Sequence, residues 1–119
     1  MLRATLMTTA RWAARNAAGR FRAVEQIANE GRPPEEWLKP YRSRLEQLSR
    51  GGGGAQDIER AGREAQQHCL RQLDRLVHFM REGQFYDSPD SKAVTLEALE
   101  ERRAQWAAGD WRTLLAWND

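Results

Sequence analysis

The run Gln56-Asp57-Ile58-Glu59-Arg60-Ala61-Gly62-Arg63-Glu64-Ala65-Gln66-Gln67-His68-Cys69-Leu70-Arg71-Gln72-Leu73-Asp74-Arg75-Leu76-Val77-His78-Phe79-Met80-Arg81-Glu82 decides the fold. Ile58, Ala61, Ala65, Cys69, Leu73, Leu76 and Met80 recur at steps of three and four, the period of one helix face. Asp57 and Glu59 near the start suit the positive end of a helix dipole, and Gly83 is a natural stop. The spacing therefore predicts one long helix over residues 56–82.

Upstream, Gly51-Gly52-Gly53-Gly54 reads as a flexible turn that closes an earlier helix. That helix begins between Pro34 and Pro40, since proline is tolerated in a first turn. Trp37, Tyr41, Leu45 and Leu48 form its stripe. A first helix is predicted from about Thr9 to Asn29 on Ala14, Ala17, Ala18, Phe21, Val24 and Ala28, ended by Gly31 and Pro33-Pro34. Downstream, Asp87 to Ser91 reads as a turn around Pro89. A fourth helix is predicted over residues 95–108, with Thr95 as its N-cap, Leu96, Leu99 and Trp106 on one side and Gly109 as its end. No stretch alternates as a strand should. The expected fold is all-α: a single domain, 1–119, forming a small antiparallel bundle of three main helices with a C-terminal helix and tail.

The chain has 119 residues, 30% of them charged and 40% hydrophobic, with a net charge of +2. That length gives a modest core, short of what an independent enzyme typically uses. No apolar run approaches the roughly 20 residues of a membrane span. One cysteine excludes an internal disulfide and fits a reducing compartment. The basic residues are 17 arginines and 2 lysines. Arginine suits bidentate pairing with carboxylates at interfaces, and a GC-rich coding sequence gives the same skew.

Residues 1–24 hold five arginines (Arg3, Arg11, Arg15, Arg20, Arg22) and no acid. Such a segment has the composition of a mitochondrial import signal, of a basic nucleic-acid arm, or of a solvated helix. The import reading makes Arg11 and Arg15 partner-binding residues, pairing with acids or phosphates after delivery.

The inventory for catalysis is thin. His68 and His78 are ten residues apart and point to different faces at about 100° per residue. With one cysteine and no His-x-x-x-His pair, no zinc or iron spacing is present. Cys69 sits on the apolar face of its helix, where a thiol acts as a small hydrophobe. The four glycines lack the Gly-Lys-Ser/Thr ending that a phosphate loop needs. Glu100-Glu101 beside Arg102-Arg103 reads as surface charge. The sequence therefore predicts no catalytic residue, no cofactor and no metal site. Three of the five tryptophans, Trp106, Trp111 and Trp117, crowd into the last fourteen residues. Aromatic anchors dominate interface energetics, so Trp111 and Trp117 read either as a docking tail or as a tail folded back on its own bundle.

Short pieces in fixed order span residues 25–89. They are Glu25-Gln26-Ile27-Ala28-Asn29-Glu30, Leu45-Glu46, Gly51-Gly52, Ile58 with Ala61 and Glu64, Met80-Arg81-Glu82, Phe85-Tyr86-Asp87 and Pro89. Together they resemble the alpha-subcomplex subunit 5 family of mitochondrial NADH:ubiquinone oxidoreductase, respiratory complex I. The resemblance implies a helical accessory subunit of the matrix arm, on the matrix side of the inner membrane, without a redox centre or a reaction of its own. Its partners would be other subunits of that arm, with no nucleic acid. It also implies that Met80, Arg81, Glu82, Phe85, Tyr86 and Pro89 form a turn that packs on neighbouring subunits. Residues 90–119 lie outside the resemblance. Two other readings stand beside it. One is a mitochondrial assembly or adaptor protein, for which Pro40-Tyr41-Arg42 grazes a Leu-Tyr-Arg signature. The other is a small nucleic-acid-binding regulator that uses the basic N-terminus.

Overall fold

The computed structural model describes residues 19–83 and 88–118. The fold is an all-α bundle, as the periodicity predicts. Helix α1 is seen over residues 19–30, and the predicted start at Thr9 lies outside the described residues. Then come α2 (Glu35–Arg50), α3 (Ala55–Glu82), α4 (Pro89–Ala108) and a single turn-and-a-half, α5 (Trp111–Leu115).

Helix α3 is the hub against which α2, α4 and α5 pack. Its inward face carries Ala61, Ala65, Cys69, Leu73, Leu76 and Met80, all buried, with Leu70 and Val77 widening the stripe. From α1 come Ala23, Val24 and Ile27, from α2 Leu38 and Leu45, from α4 Leu99 and Trp106, and from α5 Trp111, Leu114 and Leu115. No charged or polar side chain is buried with them among the described residues. Burying each large aliphatic side chain contributes roughly 1.5–3 kcal/mol, and this burial is the main force holding the bundle together. The predicted α2 stripe needs one amendment. Leu38 and Leu45 are the fully buried pair, while Trp37, Tyr41 and Leu48 pack half-buried at its margin.

The turns follow backbone chemistry. Gly31 caps α1 in the left-handed conformation, φ 74°, and its N–H bonds the Ile27 carbonyl at 2.8 Å. Pro33 and Pro34 then bury themselves in the corner before α2. No side chain caps α2, but Glu35 and Glu36 stand in its first turn where the helix dipole favours negative charge. Pro40 lies inside α2 and withdraws one backbone donor from the ladder. Between α2 and α3, Gly52 takes φ 76°, and a side chain on Gly53 would strike the Leu48 carbonyl at 2.8 Å. Those two of the four glycines are required by geometry.

The start of α4 differs from the sequence expectation. Ser88 is the N-cap, accepting a hydrogen bond from the Ser91 N–H, and Pro89 occupies the first turn. Proline there gives up a donor that has no intrahelical partner anyway, so Pro89 begins the helix instead of shaping a turn before it. Thr95 is interior, its hydroxyl donating back to the Ser91 carbonyl at 2.9 Å. Helix α4 is only weakly amphipathic, and Val94 is 67% exposed.

Candidate interaction surfaces

Inter-helix clamps set which charges remain open. Arg44 of α2 reaches Glu64 of α3 at 2.7 Å, and Arg81 reaches Glu100 of α4 at 3.0 Å. Arg103 of α4 grips Asp74 of α3 with Nε and Nη2, and the Asp74 hydrogen bond, followed by its charge, raises the Arg103 pKa. Arg102 donates to the Ala28 carbonyl of α1 at 3.3 Å. The charges read as surface decoration on α4 thus tie three helices together. Each exposed pair contributes about 0.2–1 kcal/mol, so their value lies in registering α4 more than in stability.

The C-terminal turn is held at one notch. Gly62, in the middle of α3, faces the indole of Trp111, and a Cβ at Gly62 would lie 2.1–2.4 Å from three ring carbons. Arg42 of α2 donates Nε to the Leu115 carbonyl at 2.9 Å, and Arg112 pairs with Glu59 at 3.1 Å. The Arg112 guanidinium also lies over the Trp111 ring, 4.4 Å from its centroid. The buried Trp111 Nε1 has no partner of normal hydrogen-bond geometry. It still lies near enough to Glu59 to be the main cause holding that carboxyl below its ordinary value, with Arg112 and Arg63 adding to it and partial burial opposing.

That shift has a measurable consequence. A carboxyl whose folded pKa lies below its unfolded value stabilises the fold fully above the unfolded value, here 4.5, and stops doing so as pH falls through the folded pKa. Glu59→Gln should therefore be less stable than wild type in urea at pH 7. The gap between the two proteins should be smaller when both are measured well below pH 4.5. A gap of equal size at both pH values would assign the loss to packing instead of charge.

The residues expected to bind partners divide into three groups. Met80 (2% exposed) and Trp111 (2%) are core residues, so neither is available as an anchor on the folded surface. The tail alternative that folds back is the one adopted by Trp111, because the Gly62 notch admits its ring. Trp117 packs half-buried against the same core. Arg81, Glu82 and Pro89 are exposed, Arg81 already paired with Glu100. Arg11, Arg15, Phe85 and Tyr86 lie outside the described residues.

Two surface grooves flank α3. One, of about 960 Å³, runs past Arg20, Trp37, Asp74, Arg75, Phe79 and Glu82. There Phe79 meets Phe21 edge-on at 6.0 Å, and Arg20 lies over the Phe79 ring at 4.6 Å. The other, of about 930 Å³, is bounded by Tyr41, Arg60, Arg63, Gln67, Arg71 and Arg112. His68 stacks at a tilt on Tyr41, with ring centroids 5.1 Å apart, and its pKa is lowered by burial first and then by Arg71 and Arg75. Sequence reading missed this gathering of arginines along α3. The signal was available in the spacing of Arg60, Arg71 and Arg75, but the pairing of the intervening acids depends on tertiary placement.

Cys69 is buried, and burial pushes its thiol up to about 12, so almost none is thiolate at neutral pH. Among the described residues no group of three or more His, Cys, Asp or Glu could hold a metal ion, and no helix is long and apolar enough to cross a membrane. Comparison of the chain with models of known families, with curated proteins and with solved structures gives no match.

Proposed function

We infer that this protein is a non-catalytic helical subunit that holds other proteins in place, and that its assembly is the matrix arm of mitochondrial complex I. What supports the reading is where the recurring pieces fall. Ile27, Leu45, Ala61 and Met80, taken from four of the separated pieces, are all buried at helix–helix contacts. Gly52 supplies the left-handed turn that the Gly-Gly piece requires. Residues from four of the pieces thus lie together in one core. The buried, high-pKa Cys69 thiol also suits packing and not nucleophilic attack.

The test is native electrophoresis of gently solubilised mitochondria with mass spectrometry of each band. The protein should migrate with the NADH-oxidising assembly and stay with the matrix arm when that arm is split from the membrane arm. Migration as a free small protein, or with ribosomes, would overturn the reading.

A further inference from the structure

We propose that the outward face of α3, from Arg60 to Arg75, is a docking strip for an acidic segment of a neighbouring protein subunit. Taking Arg60 as origin, Gln67 lies about 20° to one side around the helix, with Arg71 about 20° and Arg75 about 60° to the other. The three arginines therefore share one exposed face over about 22 Å of helix, and all three are exposed to solvent.

Charge complementarity identifies the occupant. Between Arg60 and Arg75, α3 carries two carboxylates, Glu64 and Asp74. Both are engaged by arginines of other helices, Glu64 by Arg44 and Asp74 by Arg103. Glu59, beside the strip, is engaged by Arg63 and Arg112. Arg60, Arg71 and Arg75 themselves have no ion-pair partner among the described residues. The bundle thus engages Glu64 and Asp74 from the flanking helices, and of the five arginines of α3 it pairs Arg63 and Arg81 and leaves Arg60, Arg71 and Arg75 open. Burial is the first cause of the lowered His68 pKa, and the charges of Arg71 and Arg75 add to it.

Carboxylates fit this strip better than the other polyanions. A guanidinium fork matches a carboxylate in two parallel hydrogen bonds, and Gln67 adds a neutral donor and acceptor between Arg60 and Arg71. Binding single-stranded nucleic acid calls for open aromatic platforms for the bases, and the rings near the strip are half-buried: Tyr41 against His68, and Trp37 and Phe79 beside Arg75, with Phe79 covered by Phe21 and Arg20. A membrane-surface helix needs apolar residues beside its basic ones, and those of α3 are turned into the core. An acidic helix laid along the strip could place carboxylates opposite Arg71 and Arg75, one turn apart, and opposite Arg60 three turns away. The identity of the partner as a protein subunit rests on the assembly reading above.

The experiment uses the full chain at physiological ionic strength, where weak surface attraction is screened. The probes are a labelled helical Glu/Ala peptide, a single-stranded oligonucleotide of equal charge, and vesicles containing an anionic lipid. The peptide should bind, and its addition should shift the His68 imidazole signals in the NMR spectrum. The triple variant R60Q/R71Q/R75Q should lose affinity by about tenfold or more while keeping its helix content and melting temperature. The variant R22Q/R32Q/R50Q, which removes the same charge from other exposed positions, should bind the peptide like wild type. Equal loss in both variants would mean diffuse attraction and overturn the proposal. Tighter binding of the oligonucleotide or the vesicles, or no peptide binding, would overturn it too. Native electrophoresis is independent of the peptide assay, so the strip and the complex I assignment can fail separately.

Discussion

Replacing Gly62 by alanine should destabilise the protein, although alanine is the better helix former by about 0.8–1 kcal/mol. The added Cβ would overlap the Trp111 ring at 2.1–2.4 Å, far inside contact distance. The obstacle is a rigid indole instead of the end of a flexible chain, so relief requires moving the ring or the whole of α5. Displacing α5 exposes Trp111, Leu114 and Leu115 and breaks the Arg42–Leu115 and Arg112–Glu59 contacts. Emptying a buried tryptophan site costs about 3–5 kcal/mol, a large share of the roughly 5–15 kcal/mol that a domain of this kind holds. Urea unfolding should show a net loss of about 2–4 kcal/mol once helix propensity is credited. Tryptophan emission should also shift to the red before global unfolding. In a double-mutant cycle, Gly62→Ala should cost little on a Trp111→Ala background, because the clash has been removed. A Gly62→Ala protein as stable as wild type would show that the indole does not fill this notch.

Trp106→Ala should be comparably damaging, for a different reason. Its ring is 4% exposed, and its Nε1 donates to the Gly31 carbonyl at 3.0 Å, fastening α4 to the corner between α1 and α2. Its own carbonyl accepts a 2.7 Å hydrogen bond from Gln66 of α3. Truncation leaves a cavity and a Gly31 carbonyl without its donor, at about 3–5 kcal/mol. Trp106→Phe keeps most of the apolar volume and removes the indole N–H, so it should recover most of that loss and leave about 1–2 kcal/mol. If the two substitutions cost the same, the hydrogen bond to Gly31 would carry most of the stabilisation and the ring's packing would be incidental.

The helices were legible where the apolar period was strong. In α3 the seven-residue stripe of Ile58 to Met80 is long and punctuated by Gly54 and Gly83, and the predicted start differs from the observed one by a single residue. In α4 the apolar positions are sparse and Val94 points outward, so nothing periodic marked the first turn. Ser88-Pro89 carries turn chemistry and helix-start chemistry alike, and only the Ser91 N–H bond decides between them. The surfaces were harder to read. Trp111 and Gly62 are far apart in the chain, and no local rule joins an indole to the one position within α3 that lacks a side chain. The open arginines of α3 were equally hidden. Their being open depends on Arg44 and Arg103 arriving from other helices to occupy Glu64 and Asp74.

The links from Trp106 to Gly31 and from Arg102 to Ala28 join residues 75 and 74 positions apart along the chain. They also bear on the order in which the bundle assembles. Contacts of α3 with its sequence neighbours α2 and α4 close short loops, whereas fastening α4 to the α1 corner closes a circuit through most of the chain and meets the larger entropy cost. That circuit should close after the rate-limiting barrier. In stopped-flow experiments, loss of the Trp106 clasp should then quicken unfolding while leaving the refolding arm of the chevron nearly unmoved, a φ-value near zero. The clasp acts as a latch on the finished bundle: it governs how long the folded state lasts, and has little part in how the chain finds it.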